Sequence, residues 1–162
     1  MTDASEWIKR LDLAPHPEGG SFRRIYTDDR AFATLSGNRP LVTSIHYLLS
    51  RQSPIGRLHR NRSTILHYLQ DGGPVEYLLL PEPGICRRVV LGYGEGQQIF
   101  LQVPGGCWKA CRLLDGADHV LISEAVVPGF DGIDHQFMPM ATLRRDYANL
   151  ATELLPFMQP PG

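Results

Sequence analysis

Val103-Pro104-Gly105-Gly106-Cys107-Trp108-Lys109 and Ile122-Ser123-Glu124-Ala125-Val126-Val127-Pro128-Gly129-Phe130 read as strand segments joined to Pro-Gly turns. With His59-Arg60-Asn61-Arg62 upstream, they outline a small β-barrel with a pocket. Working outward, Leu41 to Leu49 is rich in Val, Thr, Ile and Tyr and reads as a strand. Ser63 to Leu69, Val75 to Leu80, Cys86 to Leu91, Ile99 to Val103, Trp108 to Leu113 and Val120 to Val127 read likewise. Asp71-Gly72-Gly73 and Pro81 to Gly84 read as turns between them. Roughly seven strands or more at a spacing of roughly 8–12 residues imply an all-β sandwich or barrel. The pattern fits a jelly roll and an immunoglobulin-like sandwich equally.

The flanks differ. Ala4 to Leu13 reads as a short amphipathic helix, with Asp3 as N-cap and Trp7, Ile8 and Leu11 at helical spacing; Pro15 and Pro17 stop it. Gly19-Gly20 opens an extended stretch, Ser21 to Thr27, with Phe22, Arg24 and Tyr26 on one face; Gly37-Asn38 reads as a turn. Thr142 to Leu155 reads as a C-terminal helix ended by Pro156. One domain over residues 1–162 is expected, since no repeat or linker stands out.

The 162 residues suffice for a sizeable core, and 43 % apolar with 20 % charged residues is ordinary for a globular chain. A net charge of −1 offers no basic field for nucleic acid, and no apolar run is long enough to span a membrane. Three cysteines, Cys86, Cys107 and Cys111, without paired zinc-type spacing, fit reduced thiols and a cytoplasmic location. The N-terminal residues lack the apolar core of a signal peptide.

The strings His16-Pro17-Glu18-Gly19-Gly20-Ser21-Phe22, Ser53-Pro54-Ile55-Gly56 with His59, Gly72 to Leu80, Val103 to Lys109, and Ile122 to Phe130 with Asp134-His135 and Phe137 carry a resemblance. Through them the chain resembles the cupin superfamily, and within it a small branch catalogued as a domain of unknown function. The resemblance implies a double-stranded β-helix, the jelly-roll barrel, with short N- and C-terminal helices. It also implies a homodimer, since such barrels often bury a sheet edge against a copy.

Metal-binding cupins usually place two histidines one residue apart, then a glutamate, then a third histidine after a Pro-x-Gly turn. Here His59 fits the first place, Asn61 occupies the second, Ile65 or Leu66 falls at the glutamate and Lys109 at the third histidine. The expectation is therefore no metal and no cofactor, with His59, His67 and Glu124 as the atypical set through which an ion would enter.

The expected catalytic residues are His59, His67, Lys109 and Glu124. His67 shares the inward face of Ile65 and Leu69, and Glu124 that of Ile122 and Val126, where it would pair with an inward Lys109. Each also has a purely structural reading, as a core histidine or an internal ion pair. The expected ligand contacts are Glu18, Arg24, Tyr47, Arg60, Phe100, Trp108, Phe130 and His135. Glu18 and His135 belong to segments that could close the barrel mouth, Arg24 or Arg60 could clamp an anion, and the aromatics could wall a ring. By fold-level analogy the expected activity is a metal-independent sugar or sugar-nucleotide epimerase or isomerase acting on a small polar metabolite. The alternatives are a non-catalytic small-ligand-binding module and a metal-dependent cupin enzyme with an atypical ligand set.

Overall fold

The computed structural model describes residues 2–161. Helix α1 (Ala4–Arg10) is followed by β1 (Ala14–Pro15), β2 (Ser21–Thr27), β3 (Ala31–Thr34), β4 (Gly37–Pro40), β5 (Thr43–Ser50), β6 (Ile55–Asn61) and β7 (Thr64–Gly72). Then come β8 (Val75–Leu80), β9 (Arg87–Leu91), β10 (Phe100–Val103), β11 (Trp108–Leu113), β12 (His119–Val127), β13 (His135–Phe137), α2 (Met140–Asp146) and α3 (Ala151–Leu154). One antiparallel sheet has the order β1-β2-β5-β12-β7-β10 and the other β13-β6-β11-β8-β9, with β3-β4 a separate hairpin. Two such sheets face to face make the jelly-roll barrel that the resemblance implies.

Period-two alternation places the core. Tyr47, Leu49, Leu69, Val120 and Ile122 from the first sheet meet Val75, Tyr77, Leu79, Leu91, Cys111 and Leu113 from the second. The outer faces are covered too. Leu58, Leu78, Leu80, Trp108 and Ala110 pack under Leu143, Tyr147, Leu154 and Phe157 of the C-terminal segment. This explains why β8 is buried at every position. On the other side Ala4, Trp7, Ile8 and Leu11 cover Leu48 and Leu121. Asp3 caps α1 as expected, in a capping box with Glu6.

Four local readings change. The C-terminal helix is broken into α2, a 3₁₀ turn, α3 and a second 3₁₀ turn at Leu155–Phe157, so that it wraps the curved sheet instead of crossing it. The β3-β4 turn centres on Leu35-Ser36, with Gly37 just after it at φ +108°. In β2 the register shifts between Arg24 and Tyr26, so Tyr26 leaves the face shared by Phe22 and Arg24. The sequence reading also lacks β6. Its pairing with β11 runs Lys109 to His59 but Cys111 to Gly56, a bulge across Arg57-Leu58. Strict alternation from Gly56 would have turned His59 outward; the bulge turns His59 inward and Leu58 outward.

The turn before β2 fixes the barrel mouth. Gly19 and Gly20 have φ of +101° and +74°, and a Cβ would lie 2.1 Å from the Ile55 carbonyl oxygen or 2.5 Å from that of Leu48. Tyr47 donates its hydroxyl hydrogen to the Gly19 carbonyl at 2.9 Å, and the Arg57 N–H donates to the Glu18 carbonyl at 2.7 Å. Gly116 also has a positive φ, +87°, but open space around it. Gly116→Ala should thus cost only about 1 kcal/mol of backbone strain. Gly19→Ala adds a backbone clash and should cost clearly more in urea unfolding; equal costs would show that the turn yields freely.

Candidate functional site

The open end of the barrel holds a cleft lined by His16, Glu18, Arg24, Tyr47, His59, Asn61, Lys109, Glu124 and Phe130, among others. The cleft is open to the outside, and its cavity volume is about 50 Å³. That room suits a small molecule, and a nucleotide would have to lie mostly outside.

One wall is a chain of three ionisable groups. Lys109 Nζ lies 3.1 Å from His67 Nε2, and His67 Nδ1 lies 3.1 Å from Glu124 Oε1. Strand register produces this: Glu124 of β12 sits opposite His67 of β7, and Lys109 of β11 approaches from the facing sheet. The ammonium can only donate, so Nε2 accepts and Nδ1 carries the imidazole proton toward Glu124. The Nδ1 contact is close but poorly aligned for a hydrogen bond, so its attraction is mainly electrostatic. The direct Lys109–Glu124 pair expected from the sequence is thus replaced by a relay through His67. Burial, aided by the neighbouring Lys109 charge, lowers the His67 pKa and keeps the ring neutral. Burial alone would raise Glu124, but Lys109 and His67 outweigh it and hold the carboxyl well below its ordinary range.

The other wall gathers Glu18, His59 and His135. Glu18 Oε2 is 3.2 Å from His59 Nε2, and Oε1 is 2.9 Å from His135 Nε2. The two imidazoles stack with centroids 5.2 Å apart. His59 donates from Nδ1 to the Arg57 carbonyl at 2.6 Å, across the bulge that turns the residue inward. His16 Nδ1 accepts the Glu18 N–H at 3.0 Å. Burial is the main force on His59 and depresses it to about 4, against the opposing pull of Glu18. Burial would raise Glu18, but the charge on His59 and the His135 hydrogen bond bring it down to about 2. Near neutral pH Glu18 is therefore ionised and His59 neutral.

His135 is held by a buried ion pair. Arg39 donates from Nε to Asp134 Oδ2 at 2.6 Å and from Nη2 to Oδ1 at 3.0 Å, with both side chains under a tenth exposed. This bidentate pair pins the 3₁₀ turn Gly132–Asp134, from which His135 begins β13 at the edge of β6.

The structure brings Glu18, Arg24, Tyr47, His59, Lys109, Glu124 and Phe130 to the cleft, with His135 behind Glu18 and His67 behind Lys109. Arg60, Trp108 and Phe100 lie elsewhere. Trp108 faces the C-terminal layer, as adjacent strand residues must alternate with inward Lys109, and Arg60 stacks on it at 4.4 Å. Phe100 is 42 % exposed beside Tyr68 on the outside of the barrel. The atypical metal set expected from the sequence also divides. His59 joins Glu18 and His135, whereas His67 and Glu124 belong to the Lys109 relay. Sequence reasoning passed over His16 as a site residue, although it shares the Gly19-Gly20 turn with Glu18. It also gave no role to Tyr77, whose buried hydroxyl lacks a partner among the described residues and lines the deeper end of the cleft.

Residues 5–138 match the family described as Cupin superfamily (DUF985), and the chain belongs to that family. It is 38 % identical over 149 residues to the uncharacterized protein YML079W of Saccharomyces cerevisiae, covering 81 % of this chain and 73 % of the yeast protein. Among solved structures, a Shewanella oneidensis protein aligns with a TM-score of 0.89 at 25 % identity, covering 99 % of this chain and 100 % of that one. Oxalate decarboxylase from Bacillus subtilis aligns with a TM-score of 0.56 at 14 % identity over 91 % of this chain and 37 % of that one, a likeness of fold alone.

The depressed groups fix the acid response. His59 titrates near 6.5 when unfolded and about 4 when folded, so its contribution is full above 6.5 and lost as pH falls toward 4. Glu18 contributes fully above about 4.5, and that contribution is lost toward about 2. The urea midpoint should therefore fall steadily below pH 6.5, and His59→Gln should make the decline between pH 6.5 and 4.5 shallower. A midpoint constant from pH 7 to 4.5 would contradict a neutral, buried His59.

Proposed function

We propose that this barrel binds a small anionic metabolite and moves a proton on it, as an isomerase or epimerase does. The observation that carries this reading is the Lys109–His67–Glu124 chain, whose cationic end faces the cleft. Lys109 is the group that meets the substrate. In the minor form whose proton has passed to His67 Nε2, Lys109 is a neutral amine, able to take a proton from a carbon next to a carbonyl. The imidazolium so formed is stabilised by Glu124, and return of the proton through Lys109 to the same face of the neighbouring carbon, with the hydroxyl proton passing to the carbonyl oxygen, completes an isomerisation. His67 is fully buried and does not line the cleft, so it serves as a reservoir and positioning residue.

Arg24 lies at the mouth beside Phe130, placed to hold a carboxylate or phosphate. The small cavity suits a short hydroxy- or oxo-acid or a free sugar acid. The cupin fold also hosts oxalate decarboxylase, whose name denotes a small dianionic substrate.

The test is proton exchange. A panel of short 2-hydroxy-carbonyl acids and sugar acids is incubated with the protein in D₂O and followed by loss of carbon-bound proton signals. Exchange by the wild type should fall at least ~100-fold in Lys109→Met and in His67→Gln. Saturable binding without exchange for any member would identify a binding module. Exchange that persists in Lys109→Met would remove Lys109 from the chemistry.

A further inference from the structure

We infer that Glu18, His59 and His135 form a binding site for one divalent first-row transition ion, such as Zn²⁺, in which His59 alone stands at a usual cupin ligand position. The site goes beyond the proton-transfer reading and does not depend on it.

The first observation is the aim of His59. Its Nδ1 lies 2.6 Å from the Arg57 carbonyl oxygen, which has no hydrogen to give, so a proton is on Nδ1. Nε2 points at Glu18 Oε2 at 3.2 Å. A carboxylate and an imidazole nitrogen this close share a cation, either a proton or a metal ion. The Nδ1–H to backbone carbonyl bond is the arrangement that fixes a metal-binding imidazole, setting the tautomer and aiming Nε2 at the ion.

The second observation is spacing. Donors about 2.1 Å from a tetrahedral ion lie about 3.4 Å from one another. The two Glu18 to histidine distances are 3.2 and 2.9 Å, and the three donor atoms all lie within 4.8 Å of one another. The two contacts come from different oxygens of the Glu18 carboxylate, which can hold an ion through either or both.

A third, independent observation is Asn61. Its side chain borders the cleft on the strand that carries His59 and is in register with His135. Its Oδ1 is buried and has no partner among the described residues. It is placed to accept a hydrogen bond from water or substrate held at the open position of an ion.

Chemistry narrows the ion. Two imidazoles and one carboxylate suit Zn²⁺, Fe²⁺ or Co²⁺, whereas Mg²⁺ and Ca²⁺ take oxygen ligands. The formal charge agrees: Glu18 and Glu124 face Lys109 as the one ammonium lining the deep end, among the described residues. The usual cupin positions do not fit an ion, since Ile65 and the Lys109 ammonium occupy two of them. An ion beside Glu18 would act as a Lewis acid on a substrate oxygen, leaving the proton to Lys109.

The test uses the untagged full chain, stripped with chelator and dialysed. Zn²⁺ is titrated by calorimetry and Co²⁺ by its visible absorption. One equivalent of Zn²⁺ should bind, and Co²⁺ should give the intense bands of a four- or five-coordinate site with nitrogen ligands. His135→Asn and Glu18→Gln should each weaken Zn²⁺ at least ~100-fold. His135 is partly exposed on an edge strand, so His135→Asn remains informative if Glu18→Gln fails to fold. His119→Gln and Cys86→Ser, outside the cleft, should change affinity less than threefold. Binding well below one equivalent, or binding unchanged in His135→Asn, would overturn the site. Lys109→Met should still bind one equivalent while losing proton exchange, so the two readings fail separately.

Discussion

Charge inside an apolar barrel is the constraint on which the site depends. Glu18, Glu124 and Lys109 are each at least nine-tenths withdrawn from water or close to it, and no such group is tolerated without a partner. The barrel meets this demand with histidines, which bridge charges without adding another. His67 lies between Lys109 and Glu124, and His59 and His135 flank Glu18. Neutral imidazole donates at one nitrogen and accepts at the other, so each ring sets the direction of the contact it relays. The lower barrel, lined by residues such as Val75, Leu91, Leu113 and Val120, has no such groups and packs as an ordinary core.

Backbone irregularities aim these groups. The bulge in β6 turns His59 inward and offers the Arg57 carbonyl to its Nδ1. The shift in β2 comes just after Arg24, so that the guanidinium stays on the cleft side while Tyr26 leaves it. The Gly19-Gly20 turn brings Glu18 over the mouth because only glycine fits against the carbonyls of Ile55 and Leu48. Arg39 and Asp134 do the same for His135 from the far side. A regular β6 would have turned His59 away from the cavity, so the cleft departs there from the simplest β pattern.

That departure also explains what could be read in the chain. The strands Val75–Leu80 and Trp108–Leu113 were legible to the residue, because short, largely apolar runs between glycine and proline turns leave few alternatives. The inward faces of His67 and Glu124 followed from period two alone, since β7 and β12 stay regular through those residues. β6 was not legible: its Arg57, His59, Arg60 and Asn61 lack an apolar period, and a bulge inverts the phase. Aromatic character says nothing of which face is outward: Trp108 lies under the C-terminal helices, and Phe100 is exposed beside Tyr68 on the outside of the barrel. The partnership of Glu18 with His135 spans 117 residues and depends on a loop anchored by Arg39, which no local pattern encodes.

The two walls of the cleft are opposite in electrostatic sense, and this asymmetry constrains what can bind. The relay ends in the ammonium of Lys109, a donor of positive potential. The facing cluster presents the Glu18 carboxylate and the Nε2 lone pair of His59, both acceptors. A wholly anionic ligand would be attracted by the first wall and repelled by the second. Occupation by a divalent ion reverses the second wall, so both sides then favour oxygen-rich, electron-rich groups, with Arg24 adding a third positive contact at the mouth. Without the ion, the same geometry prefers a ligand with a hydrogen-bond donor at one end and an acid at the other. On the proposed reading, the polarity of the Glu18 wall, more than the shape of the cleft, therefore decides which class of small molecule would enter the barrel.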